Sequence, residues 1–359
     1  MSEPALRASG IRRVYRDTMS LEVDELSISR GEVLCLLGSS GAGKSTLLRI
    51  LGLLEKPDVG EVLIDGEKAD PTDLEARRRV SAAMQNVVMF RGTVGDNVRY
   101  GLKVRGVPKR DAAHAVTQAL QLLGLESLRE RRVEGLSGGE AQRVALARSI
   151  AVDSEVLLVD EPLAQVDEPL RERLAAKLKQ HIRDRMVATL WVTHDRSEAL
   201  ALGDRIAVIE DGKLLQTGIP MDVFSRPADE RVARLVGTEN IQQGVVTANE
   251  RGLASVKVRD TVFEASSSVS AGNDVLLLVR PEEIAVATSE PQYSSPRNRL
   301  RGRVSDAVSQ GALTKVYIEA EIPLVAVVTS PTYRDMELRP GTIVWASFKA
   351  TSVHLIRRT

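Results

Sequence analysis

The residue types best suited to chemistry are gathered in one glycine-rich stretch, between an apolar run at 33–37 and a helical pattern at 47–51. The stretch reads Gly38, Ser39, Ser40, Gly41, Ala42, Gly43, Lys44, Ser45 and Thr46. Glycines without a Cβ let backbone N–H groups converge on an anion, and the positive end of the following helix faces the same point. Lys44 is placed to pair with the β- and γ-phosphates of a nucleoside triphosphate, and the Ser45 hydroxyl to ligate its Mg²⁺. The pattern predicts a phosphate-binding loop; the alternative is a chance match.

A pair of carboxylates ends a second apolar run. Asp160 and Glu161 directly follow residues 156–159, which have the continuous apolar character of a buried parallel strand. The carboxyl end of such a strand faces the ligand site in open α/β sheets. Asp160 is placed to hold Mg²⁺ through water together with Ser45, and Glu161, one residue further on, to polarise the attacking water. The alternative is a solvated acidic turn.

Two more polar residues suit the same reaction. His194 follows a third strand pattern at 190–193, so it is expected to contact the γ-phosphate or the attacking water. Gln85 interrupts an apolar run at 81–90, where an amide is a poor core residue unless it has a use, and it is expected to reach the metal when nucleotide is bound. For both residues the alternative is a polar side chain without a role.

Length and composition narrow the class of protein. A chain of 359 residues exceeds the usual size of one hydrophobic core, so two domains are expected. Lys plus Arg and Asp plus Glu balance at 49 each, which argues against holding nucleic acid by bulk charge. The single Cys35 lies in the first apolar run, where a buried inert thiol is expected. There is no secretory h-region and no run of 18 apolar residues, so we expect a cytoplasmic chain that meets a membrane only through a partner.

Periodicity divides the rest of the chain. Residues 6–30 alternate apolar and polar positions, which predicts antiparallel strands ahead of the parallel core. Tyr15 is the one aromatic residue there, and it either stacks on an adenine face or covers the strand edge. Residues 109–132 have helical spacing and predict an inserted helical region. From about 240 onward short alternating strands and turn residues predict a small all-β barrel.

Five motifs occur together in the order and rough spacing of an ATP-binding-cassette (ABC) ATPase, and the chain resembles that family over about 5–235. The motifs are the glycine-rich loop at 38–46, Gln85, the LSGGE stretch at 136–140, the LLVDE stretch at 157–161, and His194. The resemblance implies an α/β phosphate-loop NTPase domain at 1–235 that binds ATP and Mg²⁺ and hydrolyses ATP. It also implies a helical subdomain at about 86–140, with an all-β, OB-like barrel at 240–359 as a second domain.

The resemblance further implies a head-to-tail homodimer with two sandwiched ATP molecules. Ser137, Gly138 and Gly139 would close the site of the second subunit. The chain departs from the family at 163–167, where Ala164 stands in place of the usual serine and lacks its hydroxyl. One hydrogen bond across the dimer is therefore in doubt, while Asp167 is retained.

The tail points to a transport role. ABC chains with a C-terminal barrel of this kind resemble the energising subunits of prokaryotic importers, which implies two transmembrane permease subunits, an indirect substrate-binding protein, a location on the cytoplasmic face of the membrane and no nucleic acid. Residues 294–300 and 347–356 resemble the Mop-type molybdate- and tungstate-binding module (TOBE). The expected oxyanion ligands are Ser294, Ser295, Arg297, Asn298 and Lys349. An accessory barrel without a ligand is the alternative.

Other functions remain open at this stage. The import substrate could instead be sulfate, ferric iron, a polyamine or a sugar, and a soluble ABC ATPase of DNA repair or translation is the alternative of a different class. Such proteins usually carry two cassettes or a long coiled coil, and this chain has neither. Within the importer interpretation, Phe90 and Val94 are expected to anchor a cytoplasmic helix of the permease, and oxyanion binding by the barrel is expected to slow import.

Overall fold

The computed structural model describes residues 3–15, 18–291 and 295–358. The chain divides into two compact units between Val223 and Phe224. This division lies before the boundary at 235–240 that the sequence predicted. The reason is that the short helix at Glu230–Leu235 packs Ala233 against Leu276 and Leu278, both of which belong to the second unit.

The first unit is built on one mixed sheet, which in the described residues has ten strands in the order β5-β4-β1-β2-β10-β9-β3-β8-β7-β6. The strands are β1 (Leu6–Tyr15), β2 (Thr18–Ile28), β3 (Val33–Leu37), β4 (Val59–Ile64), β5 (Glu67–Ala69), β6 (Val80–Ala83), β7 (Val156–Asp160), β8 (Ala188–Val192), β9 (Arg205–Glu210) and β10 (Lys213–Gly218). Strands β9, β3, β8, β7 and β6 run parallel, and β1, β2, β4 and β5 form the antiparallel part. The predicted α/β fold is thereby confirmed.

The parallel strands at the centre are short and entirely buried. Every residue of β3, β7 and β8 is buried, as expected for apolar runs covered by helices on both faces. Because all three point the same way, their carboxyl ends bring the residues that follow them to one edge of the sheet. That edge is where the candidate site lies.

Helices connect these strands. They are α1 (Lys44–Leu51), α2 (Leu74–Arg78), α3 (Val94–Val104), α4 (Lys109–Leu122), α5 (Gly138–Ile150), α6 (Glu168–Asp184), α7 (Arg196–Leu202) and α8 (Pro220–Ser225). Within the predicted helical region at 109–132, α4 ends at Leu122 because Gly124 takes a left-handed backbone (φ 64°) that stops the helix, and two 3₁₀ turns follow. Helices α3, α4 and α5 are the insertion between β6 and β7.

The second unit is all-β apart from two short helices in its described residues, α9 (Glu230–Leu235) and α10 (Ser330–Asp335). Its strands are β11 (Asn240–Glu250), β12 (Leu253–Val258), β13 (Thr261–Ser266), β14 (Asp274–Val279), β15 (Ala285–Ala287), β16 (Asn298–Gln310), β17 (Leu313–Glu319), β18 (Leu324–Thr329), β19 (Ile343–Phe348) and β20 (His354–Arg357). They form two five-stranded sheets, ordered β13-β12-β11-β14-β20 and β15-β19-β16-β17-β18. The predicted small all-β second domain is thereby confirmed, with its strands divided between two sheets. The apolar faces of both sheets share one core, so a second hydrophobic layer replaces closure of a single sheet.

Candidate nucleotide-binding site

The glycine-rich loop joins β3 to α1. Gly43 is the N-cap of α1, has φ 103° and supplies no side-chain cap, so the first N–H groups of the helix are left for another acceptor. Gly41 is also left-handed, with φ 84°. A Cβ built on Gly38 would lie 2.3 Å from the Ile209 carbonyl oxygen, so only glycine allows the loop to pass β9. This uncapped, side-chain-free cradle fits a phosphate group.

Lys44 lies folded over the loop. Its Nζ donates to the carbonyl oxygens of Gly38 and Ser39 at 2.8 and 2.6 Å. Burial lowers the pKa of this half-buried amine, against the opposing attraction of nearby carboxylates such as Glu161. The present bonds of this amine are to neutral carbonyls, and a phosphate would add a counter-charge in direct contact with it. The loop and Lys44 therefore fit the triphosphate of a nucleotide.

Ser45 and Asp160 bring two hard oxygen donors together below the loop. The Ser45 hydroxyl donates to Oδ2 of Asp160 at 3.2 Å, and Asp160 is only 5% exposed. Burial raises the pKa of the Asp160 carboxyl, because the ionised form is poorly solvated there. Oxygen donors of this kind suit Mg²⁺, which prefers a carboxylate and a hydroxyl beside phosphate oxygens. The donor set fits the predicted metal.

Glu161 occupies an unusual backbone position. Its φ is 49°, in the left-handed region, and its N–H donates to the Val192 carbonyl oxygen at 2.9 Å. Its carboxylate contacts both of the other polar residues that the sequence singled out. Nε2 of Gln85 donates to Oε2 at 3.3 Å, and Nδ1 of His194 lies 2.8 Å from Oε1.

These residues line one cleft of about 480 Å³. Its lining consists of Gly38, Ser40, Gly41, Gly43, Lys44, Ser45, Thr46, Gln85, Asp160, Glu161 and His194. The glycine-rich loop, the Lys44 amine, the two candidate metal ligands and the Glu161 carboxylate thus meet in one cleft. Phosphoryl transfer to water requires such an arrangement.

Some predicted residues lie elsewhere. Tyr15 is not in the cleft lining; its hydroxyl donates to Glu55, and the Arg13 guanidinium carbon is 4.9 Å from the ring centroid. Ser39 contacts a carboxylate instead, because its N–H and hydroxyl donate to Glu210 at 3.2 and 2.7 Å. Ala42, a residue of the loop itself, is buried.

The residues of the LSGGE stretch at 136–140, here called the signature turn, also lie outside this cleft. Helix α5, which begins in this stretch, is here called the signature helix. Ser137 is the N-cap of α5 and shares a capping box with Glu140. Ser137 and Gly138 are exposed. Gly138 and Gly139 both face Gln165 of the same chain. They therefore do not contact the nucleotide site of their own chain.

Sequence reasoning missed three contacts around the site. Glu210 ends β9 beside β3, so the rule of parallel strand ends could have found it. Gln142 of α5 and Arg171 of α6 each form hydrogen bonds with the backbone of the loop that follows β7. No signal in the sequence indicates these last two, because both are polar helix residues whose direction depends on tertiary packing.

The predicted oxyanion ligands in the second unit are not a set of free donors. The buried Asn298 amide bonds the backbone of Glu264 twice, accepting from its N–H at 2.8 Å and donating to its carbonyl at 2.9 Å. Arg297 faces the Glu264 carboxylate at 3.7 Å. Ser295 and Lys349 are exposed, and Ser294 lies outside the described residues.

Comparison with known proteins agrees with the site. A family model described as ABC transporter matches residues 21–164, and one described as TOBE domain matches residues 294–355. The molybdate/tungstate import ATP-binding protein WtpC of Pyrococcus horikoshii is 38% identical over 98% of this chain and 99% of its own length. The chain belongs to the ABC transporter family. The predicted activity, ATP hydrolysis coupled to transport, is confirmed by this membership.

Other ABC proteins are similar over shorter spans. The spermidine/putrescine import ATP-binding protein PotA of Nitratidesulfovibrio vulgaris is 37% identical over 86% of this chain and 84% of its own length. The solved structure of cbiO1 from Clostridium perfringens, described as part of the ABC transporter complex cbiONQ, matches with a TM-score of 0.57 and 27% identity, covering 66% of this chain and 95% of that one. Among the described residues of this chain, no helix is long and apolar enough to cross a membrane.

Proposed function

We propose that this chain is the ATP-hydrolysing subunit of an importer for molybdate or tungstate, acting as a homodimer. The observation that carries the choice of substrate is the span of similarity: the molybdate/tungstate relative matches 98% of this chain and 99% of its own length, so both units are included. Polyamine relatives are nearly as identical or nearly as long in their match: one is 37% identical over 84% of its own length, and another is 33% identical over 95% of this chain and 91% of its own length, which makes polyamine import the second candidate.

Within this function each residue of the cleft has a task. The loop N–H groups and Lys44 bind and orient the triphosphate, and Ser45 and Asp160 hold Mg²⁺, which neutralises phosphate charge when bound. Glu161 polarises the attacking water, and His194 holds the Glu161 carboxylate and contacts the γ-phosphate side of the cleft. Gln85 contributes an amide to the same carboxylate. Positioning and electrostatics together supply the rate enhancement in reactions of this kind.

The homodimer is supported by the position of the signature turn. Ser137 and Gly138 are exposed yet lie outside the cleft of their own chain. The capping box uses the N–H groups of Ser137 and Glu140, and those of Gly138 and Gly139 suit an anion, so a second copy would present its nucleotide there. The exposed Ala164 offers no hydroxyl for a bond across such a dimer, so this bond is absent from the proposed interface.

The permease is proposed to dock on an apolar surface of the helical insertion, formed by Val88, Phe90, Tyr100 and Val104. All four are exposed, and the rings of Phe90 and Tyr100 stack with centroids 4.1 Å apart. The guanidinium of Arg148 lies 5.2 Å from the Phe90 centroid and bonds the Val88 carbonyl, which holds the surface in shape. Val94, predicted as a second anchor, is wrong for this role because it is 0% exposed in the first turn of α3.

The proposed function does not require an anion site in the second unit. The Asn298 amide is already bonded to backbone, and the Glu264 carboxylate beside Arg297 would repel an oxyanion. Whether the second unit binds an oxyanion is tested separately by calorimetric titration of the full chain with molybdate. A stoichiometric binding heat that is lost in Lys349→Ala would support the prediction that oxyanion binding by the second unit slows import.

The substrate is tested by reconstituting this chain in liposomes with its permease and substrate-binding protein. ATP hydrolysis and uptake are measured with molybdate, tungstate, sulfate and putrescine, each loaded on the binding protein. Stimulation by molybdate or tungstate above the sulfate and putrescine controls is expected. Stimulation by putrescine alone would replace the proposal by polyamine import.

A further inference from the structure

The loop that carries the proposed water-activating carboxylate is bonded to the signature helix by one buried amide. Residues 161–167, here called the carboxylate loop, begin with Glu161 at the end of β7. Gln142 lies on α5, five positions after the Ser137 cap, and only 8% of it is exposed. Its Nε2 donates to the Glu161 carbonyl oxygen at 3.2 Å, and its Oε1 accepts from the Gln165 N–H at 3.1 Å.

These two bonds act on a backbone that is already constrained. Glu161 has φ 49°, a conformation that a non-glycine residue keeps only when its surroundings hold it. Its N–H is bonded to Val192 of β8, and its carbonyl oxygen accepts from Gln142 and from the Ala164 N–H. The backbone from which the Glu161 carboxylate projects is therefore held in part by a bond that comes from α5.

The signature turn also packs directly on the carboxylate loop. A Cβ built on Gly138 would lie 1.9 Å from Oε1 of Gln165, and one built on Gly139 would lie 2.4 Å from the Gln165 carbonyl oxygen. Gly139 is thus required for this contact inside one chain, because a Cβ there would meet backbone, whereas a Cβ at Gly138 would meet the end of the flexible Gln165 side chain. A displacement of the turn must move Gln165, and Gln142 passes the same displacement to Glu161.

We propose that Gln142 is a positioning residue for hydrolysis, which couples the position of the signature turn to the orientation of the Glu161 carboxylate. The amide suits this role because it donates with one atom and accepts with the other, so both carboxylate-loop contacts are satisfied at once. When a nucleotide of the second subunit moves the signature turn, the carboxylate of this chain moves with it. The inference rests on the proposed role of Glu161.

The first test uses Gln142→Met, which keeps the volume and removes both hydrogen bonds. We expect kcat for ATP hydrolysis to fall roughly 10- to 100-fold, since misplacing a reacting group by about 1 Å costs of this order. We expect the affinity for a fluorescent ATP analogue to change less than about threefold, because no nucleotide contact is altered. Gln121→Met, at an exposed position of α4, is the matched control and should leave both values unchanged.

A second readout needs no nucleotide. Hydrogen exchange in the peptide spanning 161–167 should accelerate in Gln142→Met, because the Gln165 N–H loses its acceptor while the Glu161 N–H keeps Val192. Unchanged exchange would show that the bond does not hold the loop in solution. That result would overturn the proposal whatever the activity.

A third variant separates positioning from general loss of structure. Gln142→Glu keeps the acceptor for Gln165 but, when ionised, faces the Glu161 carbonyl with a second acceptor; when protonated it can donate again. The ratio of variant to wild-type kcat should therefore rise as the pH falls from about 8 to about 5.5, where a buried carboxyl begins to protonate. Gln121→Glu should show a flat ratio. A flat ratio in Gln142→Glu, or a changed KM with unchanged kcat in Gln142→Met, would contradict the coupling.

Glu161→Gln distinguishes the two proposals. If Glu161→Gln turns over normally, the role of Glu161 fails and the coupling fails with it. If Glu161→Gln is inactive while Gln142→Met is as active as wild type, only the coupling fails.

Discussion

Nδ1 of His194 lies 2.8 Å from Oε1 of Glu161, although the two residues are 33 positions apart. They meet because β7 and β8 are adjacent parallel strands, and each residue follows the carboxyl end of its strand. When the carboxylate is ionised it can only accept, and Nδ1 is then the donor of this contact. Gln85 donates to the other oxygen. The Glu161 carboxylate is thereby held by two donors from two different loops.

Glu161→Gln tests whether this held carboxylate acts on water. We expect kcat to fall about 100-fold or more, because a neutral amide cannot accept a proton from the attacking water. ATP binding should be retained, since Lys44 and the loop are unchanged, and the protein should accumulate as an ATP-bound dimer on size exclusion. Near-normal turnover in this variant would remove Glu161 from the mechanism.

The positions of the cleft residues could be predicted because they depend on a simple rule. Each follows a short apolar strand or a glycine turn, and the ends of adjacent parallel strands meet at one edge of a sheet. Gln142 could not be predicted, since nothing in its own neighbourhood in the sequence indicates that its amide reaches the carboxylate loop. The prediction that Val94 anchors a permease helix is wrong for a related reason. An apolar residue in the first turn of a helix can face either a partner or the core, and tertiary packing decides which.

In the second unit, too, the burial of single residues could be predicted while the long-range pairing of strands could not. Alternation in the sequence predicts that Leu300 and Val304 share the buried face of a strand, and both are buried in β16. Which strands pair into which sheet is decided by long-range contacts, so the sequence could not distinguish two sheets from one barrel. The bonds of Asn298 to Glu264 are equally non-local.

Asp160→Asn should stabilise the chain while abolishing its Mg²⁺-dependent activity. Burial raises the pKa of this carboxyl, so its ionised form costs stability at neutral pH, and the cost disappears when the pH falls below the ordinary carboxyl value. Asparagine still accepts from Ser45. We expect Tm without nucleotide to rise by roughly 2–4 °C at pH 7, with a smaller gain at pH 4. Asp260→Asn, at an exposed turn, is the control; a lower Tm in Asp160→Asn would contradict the argument.

Glu155 gives an acid-dependent prediction away from the site. Arg79 donates to both of its carboxylate oxygens, at 2.8 and 2.9 Å, and lowers the pKa of Glu155 to about 2 from its ordinary 4.5. The stability from this pair is present above pH 4.5 and is lost as the pH falls toward 2.

Glu155→Gln should therefore lower Tm by roughly 2–4 °C at pH 7, the size expected for a partly exposed bidentate pair worth about 1 kcal/mol. Thermal unfolding followed by circular dichroism should show the difference narrowing below about pH 4.5. Glu67→Gln is the control, because Glu67 meets Arg79 at 3.4 Å and is largely exposed. A pH-independent difference would show that the ionised pair is not its cause.

Cysteine cross-linking tests the proposed permease surface. The one natural thiol, Cys35, is buried and its pKa is raised by burial, so it should not react. Phe90→Cys, at a position 40% exposed, and Tyr100→Cys should capture a cysteine-bearing cytoplasmic helix of the permease. Val94→Cys, at a buried position, should not. Capture by Val262→Cys in the second unit, without capture from position 90, would place the permease elsewhere.

Arg171 should affect hydrolysis through the same loop that Gln142 contacts. Its Nη2 donates to the Val166 carbonyl at 2.9 Å and its Nη1 to Oδ2 of Asp195 at 2.8 Å. Asp195 follows His194 and caps α7, so the guanidinium joins the carboxylate loop to the segment that carries His194.

Arg171→Lys keeps the charge but cannot make both bonds from one planar fork. We expect kcat to fall about three- to tenfold and the free energy of unfolding to fall by about 1 kcal/mol, with ATP affinity unchanged. Steady-state kinetics and urea unfolding measure the two effects. Arg173→Lys, at an exposed position of the same helix, should change neither. If Arg171→Lys lost stability but kept full turnover, the guanidinium would hold the fold without positioning the catalytic groups.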